Sequence, residues 1–127
     1  MTNIIDTKKE FSAFKRANSF VHAGRGIIVF LKVTPNAWIQ LSVFLLVIIF
    51  GFHFNITYIE WIMVTFAAGI VLAAEAFNTA IEIDINLTSP GYHPYARDTK
   101  DVAAGAVLIA SLMAIVIGIL VFGHYIF

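Results

Sequence analysis

No formally charged side chain occurs between Lys32 and Glu60, and the part from Ala37 to Tyr58 is long enough, at 1.5 Å per residue, to cross roughly 30 Å of hydrocarbon as a helix. A chain carrying such a run is written for lipid. Composition agrees: of 127 residues 60% are hydrophobic and only 13% charged, with mean hydropathy +0.87, whereas soluble domains are about 45 to 50% apolar. The length suits one small domain, residues 1–127. With no cysteine, disulfides, thiol-ligated metals and thiol nucleophiles are excluded.

Further along, a polar break at His53, Asn55 and Thr57 leads to Glu60 and to Trp61, an aromatic suited to the membrane interface. A second span is expected over 61–84. The stretch from Asn86 to Pro94 is rich in turn formers, and Pro94 can open the next helix. A third span is expected over 95–125. Ahead of all three, residues 8–32 place Ala13, Ala17, Phe20, Val21, Gly24, Ile27, Ile28 and Leu31 at helical spacing, opposite Lys15, Asn18, Ser19, His22 and Arg25. That pattern predicts an amphipathic helix lying in the membrane surface, the alternative being a helix packed on the spans from the cytosol. No short apolar core ending in a small-residue cleavage site is present, so no secretory signal is expected.

Basic residues cluster before the first span (Lys8, Lys9, Lys15, Arg16, Arg25, Lys32) and between the second and third (Arg97, Lys100), with none between the first and second. The positive-inside rule therefore predicts a cytoplasmic N-terminus and 86–100 loop, with the C-terminus outside.

The second span holds two acids. Glu75, Asn78 and Glu82 are spaced by three and then four residues, which stacks them on one stripe of a helix. A carboxylate within a span costs several kcal/mol and marks function by default. At the start of the third helix Arg97, Lys100 and Asp101 share a face, which reads either as an ordinary helix start with an Arg97–Asp101 pair or as a cation waiting for an anion. Phosphoryl transfer needs a divalent cation, a positive group on the phosphate and a base for the attacking hydroxyl, and carboxylates suit magnesium. No Gly-x-x-x-x-Gly-Lys-Ser/Thr loop occurs, and Gly24-Arg25-Gly26 is too short to be one.

Ala106, Ala110, Ala114 and Gly118 form a small-residue stripe on the third helix, and three spans alone enclose a polar site poorly, so an oligomer is expected. His53 and His124 read as interfacial side chains, and no His-x-x-x-His pair suggests zinc. The basic N-terminus suits anionic headgroups, and nothing interleaves with it for nucleic acid.

Glu75-Ala-Phe-Asn78-Thr-Ala-Ile-Glu82, followed by His93-Pro94-Tyr-Ala-Arg97-Asp-Thr-Lys100-Asp101-Val-Ala-Ala-Gly-Ala-Val-Leu, resembles the prokaryotic diacylglycerol kinase and undecaprenol kinase family. Weaker likeness extends upstream through Ser19-Phe20-x-x-Ala23-x-x-Gly26-Ile27 and Glu60-Trp61, so the resemblance covers about residues 19 to 120. It implies an all-α membrane protein with a surface helix and three transmembrane helices, assembled as a homotrimer with shared active sites in the bacterial inner membrane. It implies transfer of the ATP γ-phosphate to a lipid hydroxyl, diacylglycerol or undecaprenol, with Mg2+. By the same resemblance Glu75 is the general base and Asn78 its supporting amide, Glu82 binds metal, and Lys100 and Asp101 bind nucleotide. Gly91, Tyr92, His93, Lys15 and His22 are further nucleotide contacts. Two positions depart from the family: Thr34 stands where a metal-binding glutamate is usual, and Asn86 where aspartate is usual. Asn36, Asp84 or substrate oxygens could compensate, although Asp84 is half a turn round the helix from Glu75. A noncatalytic subunit and a small proton-coupled transporter using Glu75 remain as rival readings.

Overall fold

The computed structural model describes the backbone of residues 4–127 and the side chains from residue 12 onward, so Lys8 and Lys9 lie outside the described side chains. Among the described residues the chain is helical throughout: α1 (Ile4–Val33), α2 (Pro35–Phe54), α3 (Tyr58–Thr88) and α4 (Pro94–Ile126). It divides into two compact units, one ending at Val33 and one spanning Thr34–Phe127. On α1 the apolar Phe14, Phe20, Ile27 and Ile28 are exposed, as are Lys15 and His22.

The breaks in the second unit have local causes. Thr34 adopts extended backbone as N-cap of α2, with Pro35 as the first helical residue, where its missing N–H costs nothing. Asn55 ends α2 in the left-handed region at φ 53 and ψ 54, a conformation asparagine tolerates. Helix α2 therefore stops short of the expected Tyr58. Two residues on, Thr57 Oγ1 accepts from the Glu60 N–H while Glu60 Oε1 accepts from the Thr57 N–H, each at 3.2 Å. This capping box starts α3 at Tyr58, earlier than the expected residue 61. Its far end passes residue 84 and reaches Thr88, stopping where Pro90 disfavours helical backbone at Ser89. His93 caps α4, its Nδ1 accepting from the Tyr95 N–H at 3.1 Å.

All three helices of this unit are long and apolar enough to cross a membrane. The five-residue turn from Ser89 to His93 folds α3 and α4 into an antiparallel hairpin, and α2 packs against α3 less extensively. On α4 the residues turned inward include Ala103, Val107, Ala110, Ala114, Ile117 and Val121, spaced alternately by four and three. That spacing gives the seam of 3-4 ridge packing, with three alanines among the six side chains to let the backbones approach. The expected small-residue stripe thus lies partly off the seam: Ala110 and Ala114 face inward, whereas Ala106 is exposed. At the Asn55 end the core is Ile56, Val64 and Val121, backed by Phe54, Trp61, Met63 and Tyr125. Trp61 lies across Gly51, where a β-carbon would meet its indole ring. Elsewhere Leu45, Phe50, Phe66, Phe77, Leu112 and Ile119 are exposed, the surface expected of helices that face lipid or further helices rather than water.

Candidate functional site

The inward face of α3 changes character along its length. Val64, Ala67 and Val71 are buried near its start, and the same face then presents Glu75, Asn78 and Thr79, only 3%, 8% and 7% exposed. The three-and-four spacing thus does what the sequence predicts for Glu75 and Asn78, turning both toward the interior. Glu82, one further turn on, is exposed, and it accepts a hydrogen bond from Asn78 Nδ2 at 3.3 Å.

Helix α2 supplies partners that sequence reasoning missed. Gln40 Nε2 donates to Glu75 Oε2 at 2.9 Å, so one carboxylate oxygen is held by an amide from another helix. Gln40 is the one amide between Ala37 and Phe54, which was the available signal. Thr34, where the resemblance expects an acid, is 7% exposed and hydrogen-bonds Thr79 hydroxyl to hydroxyl at 2.8 Å. A neutral pair fills that corner. Among the described residues two buried side-chain oxygens, Gln40 Oε1 and Asn78 Oδ1, are without a hydrogen-bond partner. Each of these amides donates its nitrogen to a carboxylate, Gln40 to Glu75 and Asn78 to Glu82.

A second polar cluster lies at the α3–α4 turn. Lys100 Nζ donates to Asn86 Oδ1 at 2.6 Å. Asn86 is neutral, so the ammonium charge is oriented without being cancelled. The two residues border an open cleft of about 280 Å³ that Gly91, Tyr92, His93 and Arg97 also line. Asp101 does not line this cleft and is exposed, and Arg97 lies 3.8 Å from Asp98 rather than pairing with Asp101. Both Arg97 and Asp98 are more than half exposed, so that contact is weak. Asp84 is exposed, as its half-turn offset from Glu75 requires. Among the described residues no three acidic or histidine side chains converge on a common point.

Comparison with known proteins places this geometry. The model of the prokaryotic diacylglycerol kinase family matches residues 21–122. The chain is 36% identical to the undecaprenol kinase of Bacillus subtilis (strain 168) over 117 residues, covering 92% of this chain and 94% of that one. It is 27% identical to a diacylglycerol kinase of Helicobacter pylori over 123 residues, 91% of this chain and 93% of that one, and 44% identical to a diacylglycerol kinase of Synechocystis over 50 residues, 39% and 29% of the two chains. The protein belongs to the prokaryotic diacylglycerol kinase family, a family of membrane lipid kinases.

Proposed function

We propose that this protein transfers the γ-phosphate of ATP to the hydroxyl of a membrane lipid, with Glu75 as the group that takes the hydroxyl proton. The observation that carries the reading is the buried Glu75 carboxylate, one oxygen of which is held by Gln40. Tying one oxygen fixes the direction of the other, and a positioned general base contributes typically 10²- to 10⁴-fold. Support for a lipid acceptor comes from an apolar groove of about 400 Å³ walled by Ile39, Val43, Phe44, Val71 and Ile115, with Gln40 also in its lining. A hydrocarbon chain in that groove would bring its hydroxyl end toward Gln40 and Glu75. Diacylglycerol and undecaprenol are the acceptors carried by the relatives, and the higher full-length identity to the undecaprenol kinase favours the polyprenol.

The cleft at the α3–α4 turn suits the nucleotide. Lys100, held by a neutral amide, offers a full positive charge to phosphate oxygens, and Gly91, Tyr92 and His93 border the same space. For magnesium the donor set is sparse: Glu82 is an exposed carboxylate, while Thr34 is committed to Thr79. That set fits an ion taking one or two carboxylates and completing its shell with substrate phosphates. Glu82 would hold the ion, which when bound neutralises phosphate charge. Lys15 and His22, on the other unit, are proposed as nucleotide contacts, and α1 as a surface helix. A homotrimer in the inner membrane, with the α3–α4 turn in the cytoplasm, accords with the basic residues at that turn and with the exposed apolar faces of the helices. A proton-coupled transporter would need Glu75 but not a lysine poised over a cleft.

The test is incubation of purified protein with magnesium and radiolabelled ATP in the presence of separated lipid acceptors. Labelled lipid phosphate is expected, with the preferred acceptor read directly. A wild-type preparation that labels neither diacylglycerol nor polyprenol refutes the reading.

A further inference from the structure

Gln40 is a half-buried amide among the apolar side chains of Ile39, Val43, Phe44 and Val71. Its Nε2 is bonded to Glu75, but its Oε1 is buried and accepts nothing. A buried carbonyl without a donor is destabilising, and such atoms are rare enough to need a reason. The other unpartnered oxygen, Asn78 Oδ1, belongs to an amide tied to Glu82, whereas the Gln40 amide already touches Glu75. The Gln40 oxygen can pair with this neighbour once Glu75 carries a proton and the amide turns to meet it.

The proposed reaction supplies that proton. The acceptor O–H bond breaks, and the proton moves to Glu75. The oxygen forms a bond to the γ-phosphorus while the bond between that phosphorus and the β–γ bridging oxygen breaks, and ADP leaves with the electron pair. Glu75 then carries an O–H in a site only 3% exposed. The terminal torsions of glutamine and glutamate are broad and roughly two-fold, so half a turn of the Glu75 carboxyl group brings its new O–H round to Gln40, and half a turn of the Gln40 amide presents Oε1 in place of Nε2 to accept it. We propose that Gln40 is a positioning residue that pairs with Glu75 in both of its protonation states, donating N–H to the carboxylate before transfer and accepting O–H from the carboxylic acid afterwards. Its unpaired oxygen is the mark of the resting state, and the inference rests on the kinase reading of Glu75.

The test compares wild type, Glu75→Gln, Gln40→Met and Gln40→Ala in the lipid kinase assay. Methionine matches glutamine in length and packing but can serve neither state of the acid. Gln40→Met is expected to lower kcat at least about tenfold, the equivalent of one lost hydrogen bond to a charged group, with KM for ATP unchanged and thermal melting as wild type. In Gln40→Ala, added acetamide is expected to restore turnover, and acetone, which accepts but cannot donate, to restore less. A Gln40→Met enzyme with wild-type kcat, one that loses kcat only in step with its melting temperature, or an alanine variant that acetamide and acetone restore equally overturns the inference while wild-type activity upholds the kinase reading. Absence of turnover in wild type overturns both.

Discussion

Glu60 and Glu75 lie on the same helix and meet opposite fates. At the start of α3, Glu60 accepts from the Tyr125 hydroxyl at 2.7 Å and from the Thr57 N–H at 3.2 Å, and its second oxygen lies 3.1 Å from His124 Nε2. Around it Phe54 stacks on Tyr125 with centroids 5.8 Å apart, and Phe52 tilts against Trp61 at 5.0 Å. Both carboxylate oxygens are engaged, and together they pin the end of α4 to the start of α3. Glu75 is more deeply buried and has one bonded oxygen, with unpaired carbonyls on its neighbours Gln40 and Asn78. A structural acid is one whose oxygens are taken up by the fold itself, whereas on the kinase reading proposed above Glu75 keeps an oxygen for a ligand.

The comparison can be broken by substitution. The largest effect is expected from Glu75→Gln, which should reduce lipid phosphorylation by about 10² to 10⁴-fold with melting in detergent unchanged; near-normal turnover would put Glu75 on the structural side with Glu60. Next is Lys100→Met, expected to raise KM for ATP by roughly ten- to a hundredfold, the worth of a charge-assisted contact of about 1.5 to 3 kcal/mol; titration of initial rates against ATP decides it. Gly51→Ala drives a β-carbon into the Trp61 ring and should cost about 1 to 3 kcal/mol of stability, read as a lower melting temperature with KM preserved. Glu60→Gln should cost about 1 kcal/mol through weaker bonds to Tyr125 and His124 and leave kcat within twofold, so a large loss of turnover there would erase the distinction between the two ends. Smallest is the Thr34 and Thr79 pair. Thr34→Val alone strands the Thr79 hydroxyl and should destabilise by about 1 kcal/mol, while the double valine variant should be close to neutral, a contrast that a double-mutant cycle on melting measures.

Much of the architecture is legible in the chain. The charge-free run after Lys32, the turn formers from Asn86 to Pro94 and the absence of charge beyond Asp101 mark three spans, because burying charge in hydrocarbon is costly enough to police composition. Helix ends are less legible. Asn55 in left-handed backbone and the Thr57–Glu60 box move two boundaries, and both depend on backbone detail rather than on hydropathy. The seam departs from its expected course: a regular four-residue step through Ala106, Ala110, Ala114 and Gly118 drifts round the helix, and the alternating step through Ala103, Val107 and Ala110 stays on the inward face. Counting small residues alone passes over Val107, a larger side chain that the seam nonetheless takes in.

At the site, periodicity alone puts Glu75, Asn78 and Glu82 on one stripe, since three and four residues nearly complete whole turns, and the structure buries the first two. What lies opposite that stripe is another matter. Gln40 meets Glu75 across 35 residues, Thr34 meets Thr79 across 45, and Asn86 meets Lys100 across 14. Those meetings depend on how far each helix is rotated about its axis and how deeply it is set against its neighbour, quantities that side-chain packing over the whole unit decides. Hydropathy and spacing, read along the chain, were enough to establish three apolar helices and to set Glu75 and Asn78 on one stripe of the second, while the kinase family came from the likeness of the motifs. That the acid shares an amide, that a threonine pair fills the corner where another acid is usual, and that a neutral asparagine holds the lysine emerged only from the packed molecule, because those contacts exist only once the helices are in register.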